Sequence, residues 1–124
     1  MVSESQMSAA VLSYIDGFAR SDSEALTQLF AENAVIEDPI GAPPLVGRDA
    51  IRKFYQRICA GGARLTLTGP VRTSGRHAAF PFQSRVTYQG APCTIDIIDV
   101  FRFDDEGRIE AMQAFFGASN IAPD

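Results

Sequence analysis

Hydrophobic spacing divides the chain into a helical first part and a strand-rich second part. Met7, Val11, Tyr14 and Phe18 recur at i, i+4, i+7 and i+11, which places them on one face of an α-helix. Asp22 or Ser23 suits the N-cap of a second helix, because a short oxygen-bearing side chain accepts from the free N–H groups of the first turn. The buried side of that helix would carry Ala25, Leu26, Leu29 and Phe30. Residues 34–38 read as a short extended piece, since Pro39 crowds Asp38 out of helical geometry. Pro43 and Pro44 stiffen the loop that begins at Gly41. A third helix is predicted to start near Gly47 to Asp49, to bury Ile51, Phe54, Tyr55 and Ile58, and to end at Gly61 and Gly62. From there the pattern alternates with period two. Strands are predicted over residues 63–71, 77–88, 92–103 and 108–116, with turn signals at Thr73-Ser74-Gly75, Gln89-Gly90 and Asp104-Asp105-Glu106-Gly107. Helices followed by an antiparallel sheet predict an α+β domain whose helices cover one face of the sheet. A strongly curved sheet under such helices leaves a deep apolar pocket.

Composition narrows this picture without redirecting it. At 124 residues, with 46% apolar content, the chain is expected to form one domain over residues 1–124 with a real core. Eleven basic against fifteen acidic residues give a net charge of -4, which disfavours nucleic acid and anionic membrane surfaces as partners. The first residues lack the basic stretch and apolar run of a signal peptide. No apolar segment approaches the roughly 20 residues that span a bilayer. Cys59 and Cys93 are accordingly expected as free thiols in a cytoplasmic protein.

One residue breaks the strand pattern. Over residues 92–103, one face carries Cys93, Ile95, Ile97, Asp99, Phe101 and Phe103, and the other Thr94, Asp96, Ile98, Val100 and Arg102. Asp99 thus shares a face with five apolar residues and no basic one. An ionised carboxylate there is costly unless paired, so a raised pKa and a neutral carboxyl group are the cheaper solution. A neutral carboxyl donates a hydrogen bond and can stabilise an oxyanion in apolar surroundings. The same spacing also allows a bulge that turns Asp99 to solvent, or an arginine from another element that pairs with it. Tyr14, on the apolar stripe of the first helix, is either a core tyrosine bonded to backbone or a second donor. Tyr55, on the buried side of the third helix, can strengthen Tyr14 by donating to it. Asp38, before a stiff loop, is either a turn residue or a partly shielded general base at a pocket rim.

Other chemistry finds little support. His77 is the only histidine and is expected to be exposed near a strand start, so a histidine-based triad or metal cluster is disfavoured. No Cys/His spacing matches a zinc site, the glycines lack phosphate-loop spacing, and the acidic turn at Asp104 to Glu106 lacks calcium-loop spacing. No metal and no cofactor are expected.

Across nearly its whole length the chain resembles the bacterial Δ5-3-ketosteroid isomerases, within the cone-shaped fold group that includes nuclear transport factor 2 and the polyketide cyclases. The resemblance runs through Tyr14-Ile15, residues 29–34, Glu37-Asp38-Pro39 with Gly41, residues 51–55, residues 67–72, Ile98-Asp99 with residues 101–103, Gly107-Arg108-Ile109 and residues 114–120. Ketosteroid isomerases are a standing example of a carboxylic acid kept neutral so that it can donate. The resemblance implies a strongly curved, mostly antiparallel sheet covered by three N-terminal helices, a homodimer, and a 3-ketosteroid substrate. It implies Asp38 as the base, Tyr14 and protonated Asp99 as oxyanion donors, and Tyr55 as their support. It also suggests pocket walls of Phe54, Phe82, Phe101, Met112 and Phe116. Phe30 stands where some members carry a further network tyrosine, which shortens the network, and Phe116 where some carry tryptophan. Two other readings share the scaffold. A polyketide cyclase or epoxide hydrolase would need an Asp-Arg-Asp set, for which Arg85 and Arg102 are the strand arginines, with Arg102 facing away from Asp99 by parity. A binding or assembly protein would need no catalytic group at all.

Overall fold

Ser3 opens the first helix in the computed structural model, which describes residues 1–124. Its hydroxyl accepts from Gln6 N–H at 3.1 Å while the Gln6 side chain accepts from Ser3 N–H at 2.7 Å, a capping box that satisfies two otherwise free donors. The helix, α1, spans Glu4–Ala19 and buries Met7, Val11, Tyr14 and Phe18, the predicted stripe. Asp22 caps α2 (Ser23–Gln28) by accepting from Ala25 N–H at 3.0 Å. This helix is shorter than expected. Phe30, predicted on its buried side, instead begins strand β1 (Phe30–Glu37). Phe30 pairs in parallel with Ile109, and Ile109 N–H donates to Leu29 C=O. A tertiary strand partner has overridden a locally helical spacing there.

After β2 (Leu45–Val46), Gly47 holds φ +90° and leads into α3 (Arg48–Ala60). Ile51 and Tyr55 of α3 are fully buried, and Phe54 and Ile58 are half-buried. Strand β3 covers only Arg64–Leu67, shorter than the predicted 63–71. Pro70 has no N–H to offer a ladder, and the chain restarts as β4 (Arg72–Ser74), which pairs with β5 (His77–Tyr88). The expected turn at Thr73-Ser74-Gly75 is therefore strand up to Ser74. At the next turn Gln89 and Gly90 both hold positive φ, +51° and +83°. That is the two-residue hairpin geometry whose twist matches the flanking strands, and it joins β5 to β6 (Ala91–Phe103). β7 (Ile109–Phe115), a 3-10 turn (Ala118–Asn120) and β8 (Ile121–Pro123) complete the chain.

The sheet runs β2-β1-β7-β6-β5-β3, with β4 on β5 and β8 on β6. All pairs are antiparallel except β1 with β7, so the α+β architecture and the mostly antiparallel, curved sheet are as expected. The helices pack on its concave side around one apolar cluster that includes Val11, Phe18, Leu26, Phe30, Phe80, Phe101 and Ile109. Cys59 and Cys93 are free thiols. No helix is long and apolar enough to cross a membrane.

Candidate active site

A cavity of about 220 Å³ opens between α1, α3 and the inner face of the sheet. Two-thirds of its lining residues are apolar, and Tyr14, Asp38 and Asp99 all reach it. The sequence elements explain how each arrives. In β6, Cys93, Ile95, Asp99, Phe101 and Phe103 are buried, while Asp96, Ile98 and Arg102 are exposed. Pairing with β5 runs without a break from Ala91 to Arg102, so no bulge turns Asp99 outward, and its exposure is only 2%. No arginine rescues it. Arg102 pairs with Glu110 at 2.6 Å and Arg85 with Asp124 at 2.8 Å. Burial therefore raises the Asp99 carboxyl far above the usual carboxylate range, and the Asp38 charge raises it further. Burial thus favours the protonated form of this carboxyl, the form that has a proton to donate.

Asp38 follows directly on β1. The loop after it is tied down by Ile40 N–H, which donates to Ala114 C=O at 2.9 Å. Ala114 in turn pairs with Asp99 across β6 and β7. One backbone bond thus sets the Asp38 loop beside the Asp99 row. Asp38 is half-buried, and burial pushes its carboxyl up to about 6. That value lies close enough to neutral for a carboxylate that takes up and returns a proton.

Tyr14 is buried with its ring edge-on to Phe18, Tyr55, Phe80 and Phe101. Its hydroxyl lies 3.0 Å from the Tyr55 hydroxyl, and both approach Met112 Sδ at 3.7 Å. It is therefore not a core tyrosine bonded to backbone. Burial raises both phenols well above their ordinary values; for Tyr14 the neighbouring Tyr55 phenol adds to this, whereas for Tyr55 the hydrogen bond it shares with Tyr14 opposes it. Either hydroxyl can donate to the other; in the orientation in which Tyr55 donates, Tyr14 has its own proton free for an acceptor in the cavity.

Of the expected pocket walls, Phe54, Phe82 and Phe116 line the cavity, but Phe101 and Met112 do not. Both are fully buried behind it. Phe101 packs against the Tyr14 ring at 5.1 Å between centroids, and Met112 touches the two hydroxyls. Several wall residues escaped the sequence pattern, among them Phe18, Val86, Ile95, Ile97, Ser84 and Arg57. Ser84, Val86 and Phe82 share one face of β5 by alternation, a signal that would have found them. Arg57 sits on the exposed side of α3 at the mouth, where no periodicity marks it.

The SnoaL-like domain profile matches residues 11–112. A steroid Delta-isomerase of Nocardioides simplex is 35% identical over 116 residues, 94% of each chain. The solved structure of SalBIII, described as an epoxide hydrolase/cyclase-like enzyme in pyran ring formation in the polyether salinomycin, superposes with a TM-score of 0.91 at 26% identity, covering 99% of both chains. A profile match over most of the chain, a full-length relative above 30% identity and a shared cone of sheet and helices converge, and the chain belongs to the family of SnoaL-like domains with the NTF2-like fold.

Proposed function

We propose that the chain is a steroid Δ-isomerase that converts Δ5-3-ketosteroids to Δ4-3-ketosteroids. The observation that carries this reading is the contrast between two carboxyl groups in one apolar cavity. Burial pushes the Asp99 carboxyl far above the usual carboxylate range, whereas it pushes Asp38 up only to about 6. Environments that push two titratable groups apart assign them opposite roles. In the proposed cycle the Asp38 carboxylate removes a proton from C4. The electron pair of that C–H bond moves into the dienolate, leaving negative charge on the C3 oxygen. Tyr14 and Asp99 donate hydrogen bonds to that oxygen, and Tyr55 supports Tyr14. The proton on Asp38 then returns at C6, the double bond settles in conjugation with the ketone, and Asp38 is a carboxylate again. The substrate carries its own electrophile, so the step asks for no redox partner. The steroid Delta-isomerase relative supports this assignment.

The reading is tested with 5-androstene-3,17-dione, followed by the ultraviolet absorbance of the conjugated enone. Absence of signal at high enzyme concentration rejects it. The same assay carries a pH prediction. Asp38 acts only as its carboxylate, so kcat/KM climbs tenfold per pH unit below about 6 and levels off above it. A flat profile across that region removes Asp38 as the base.

The resemblance to SalBIII favours a second reading, an epoxide-opening or cyclising enzyme. Arg57 is the arginine that reaches the cavity. Neither Asp38 nor Asp99 is held down by a cation; burial raises both. An Asp-Arg-Asp set would show the opposite, which ranks this reading below the isomerase.

A homodimer belongs to the same proposal. Ile98 and Phe115 pair across β6 and β7 and stand 48% and 45% exposed on the outer face of the sheet, an apolar pair suited to a two-fold contact. Light scattering should give twice the 13.4 kDa chain mass; a monomer at assay concentration contradicts it.

A further inference from the structure

Three polar side chains are buried in this protein: Thr27, Ser84 and Asp99. The Thr27 hydroxyl donates to Ser23 C=O at 2.8 Å, and Asp99 belongs to the oxyanion site described above. Ser84 has no such explanation. It is 4% exposed, lines the cavity, and its hydroxyl has no hydrogen-bond partner in the protein, although it is not sealed from the cavity space. A hydroxyl with no partner in the protein must find one elsewhere, and here the one direction left for a partner is the cavity itself.

Its position along the sheet defines which part of a ligand it meets. Ser84 pairs with Ile95, and Asp99 pairs with Phe80, so four residues separate the two rows on each strand. At a strand rise of about 3.3 Å per residue, Ser84 lies about 13 Å along the sheet from Asp99. Between the rows the wall is apolar, with Phe82 and Ile97. The cavity thus presents an oxygen-binding end, an apolar middle and a second polar point, in that order. A flat molecule with its ketone at Asp99 lays its hydrocarbon on the middle and its far end at Ser84.

We propose that Ser84 is a specificity-determining residue that hydrogen-bonds an oxygen at the D-ring end of the steroid. The inference rests on the isomerase reading for the orientation of the ligand. A hydroxyl both donates and accepts, so a 17-oxo or a 17-hydroxy group satisfies it. A steroid that is hydrocarbon at that end displaces water from Ser84 and leaves the hydroxyl unpaired, and this biases the site against it.

The test compares androst-4-ene-3,17-dione with androst-4-en-3-one, which lacks the 17-oxygen. Dissociation constants are measured by equilibrium dialysis on the full chain and its Ser84→Ala and Ser84→Thr variants. The wild-type protein should prefer the 17-oxo steroid by about tenfold, the worth of one neutral hydrogen bond. Ser84→Ala should weaken the 17-oxo steroid alone and erase the preference, and Ser84→Thr, which keeps the hydroxyl, should restore it. Equal affinities in the wild type, or a change of the same size for both steroids in Ser84→Ala, overturns the inference and leaves Ser84 a small residue chosen for space. That outcome with turnover in the enone assay intact spares the isomerase reading. Failure of both steroids to bind, with no turnover, overturns both.

Discussion

Asp38→Asn should abolish most turnover and leave steroid binding intact. Asparagine keeps the shape and the hydrogen-bonding edge of the side chain but cannot accept and return a proton, so kcat should fall by about 10²–10⁴, the contribution of a positioned general base. The dissociation constant of the conjugated product should stay within a few-fold, because the apolar walls and the two donors are untouched. A kcat close to wild type defeats the base assignment, and loss of binding would mean that Asp38 shapes the cavity instead. The same variant should be more stable than the parent near neutral pH. The folded-state carboxyl is raised from 3.8 to about 6 by burial, so between those values the folded chain holds more protons than the unfolded one. Stability therefore falls as pH rises through that window and stays lowered above it. Asparagine removes this contribution, so its gain in Tm at pH 7 should vanish below about pH 3.8. Stability spent at a reactive site in this way is a common trade in enzymes.

The second large effect is expected at Asp99. Asp99→Ala removes one donor from the developing oxyanion and should lower kcat by about 10²–10³, as loss of a single oxyanion-hole donor does elsewhere. Asp99→Asn retains an N–H donor in nearly the same place and should retain intermediate activity. Neither variant should move the limb of the pH profile near 6, since burial alone raises Asp38. That separates the two roles experimentally. If Asp99 were the ionising base, its variants would erase the limb and Asp38→Asn would not. Circular dichroism on Asp99→Ala separates a chemical loss from a collapsed cavity, because Asp99 is 2% exposed in the middle of β6.

The placement of Asp99 was readable because β6 is long and regular. Period two assigns each side chain a face, and thirteen consecutive strand residues leave no room for a slip. The same logic located Met7, Val11, Tyr14 and Phe18 on α1. It failed where local spacing and tertiary pairing disagree. Phe30 continues a helical stripe in sequence, yet it becomes strand because β7 runs parallel beside it. Parallel pairing joins residues that are far apart along the chain, and no window of neighbours contains it. Phe101 and Met112 failed for a related reason. Their side chains point inward as expected, but inward has depth, and both are fully buried outside the cavity lining, packed against Tyr14 and Tyr55.

Alternation and helical spacing by themselves determined the α+β class, the order of the three helices and the long strands, and the fact that a carboxyl group lies on an otherwise apolar strand face. These depend on the period of each element, which local sequence carries. Only the tertiary structure decided the surroundings of that carboxyl. It excluded an arginine partner for Asp99, brought Tyr14 within 3.0 Å of Tyr55, and tied the Asp38 loop to Ala114 beside the Asp99 row. It also left Ser84 facing the cavity without a partner. Each of these is a relation between elements distant in sequence, and proton affinity depends on what surrounds a group in space rather than on its neighbours along the chain.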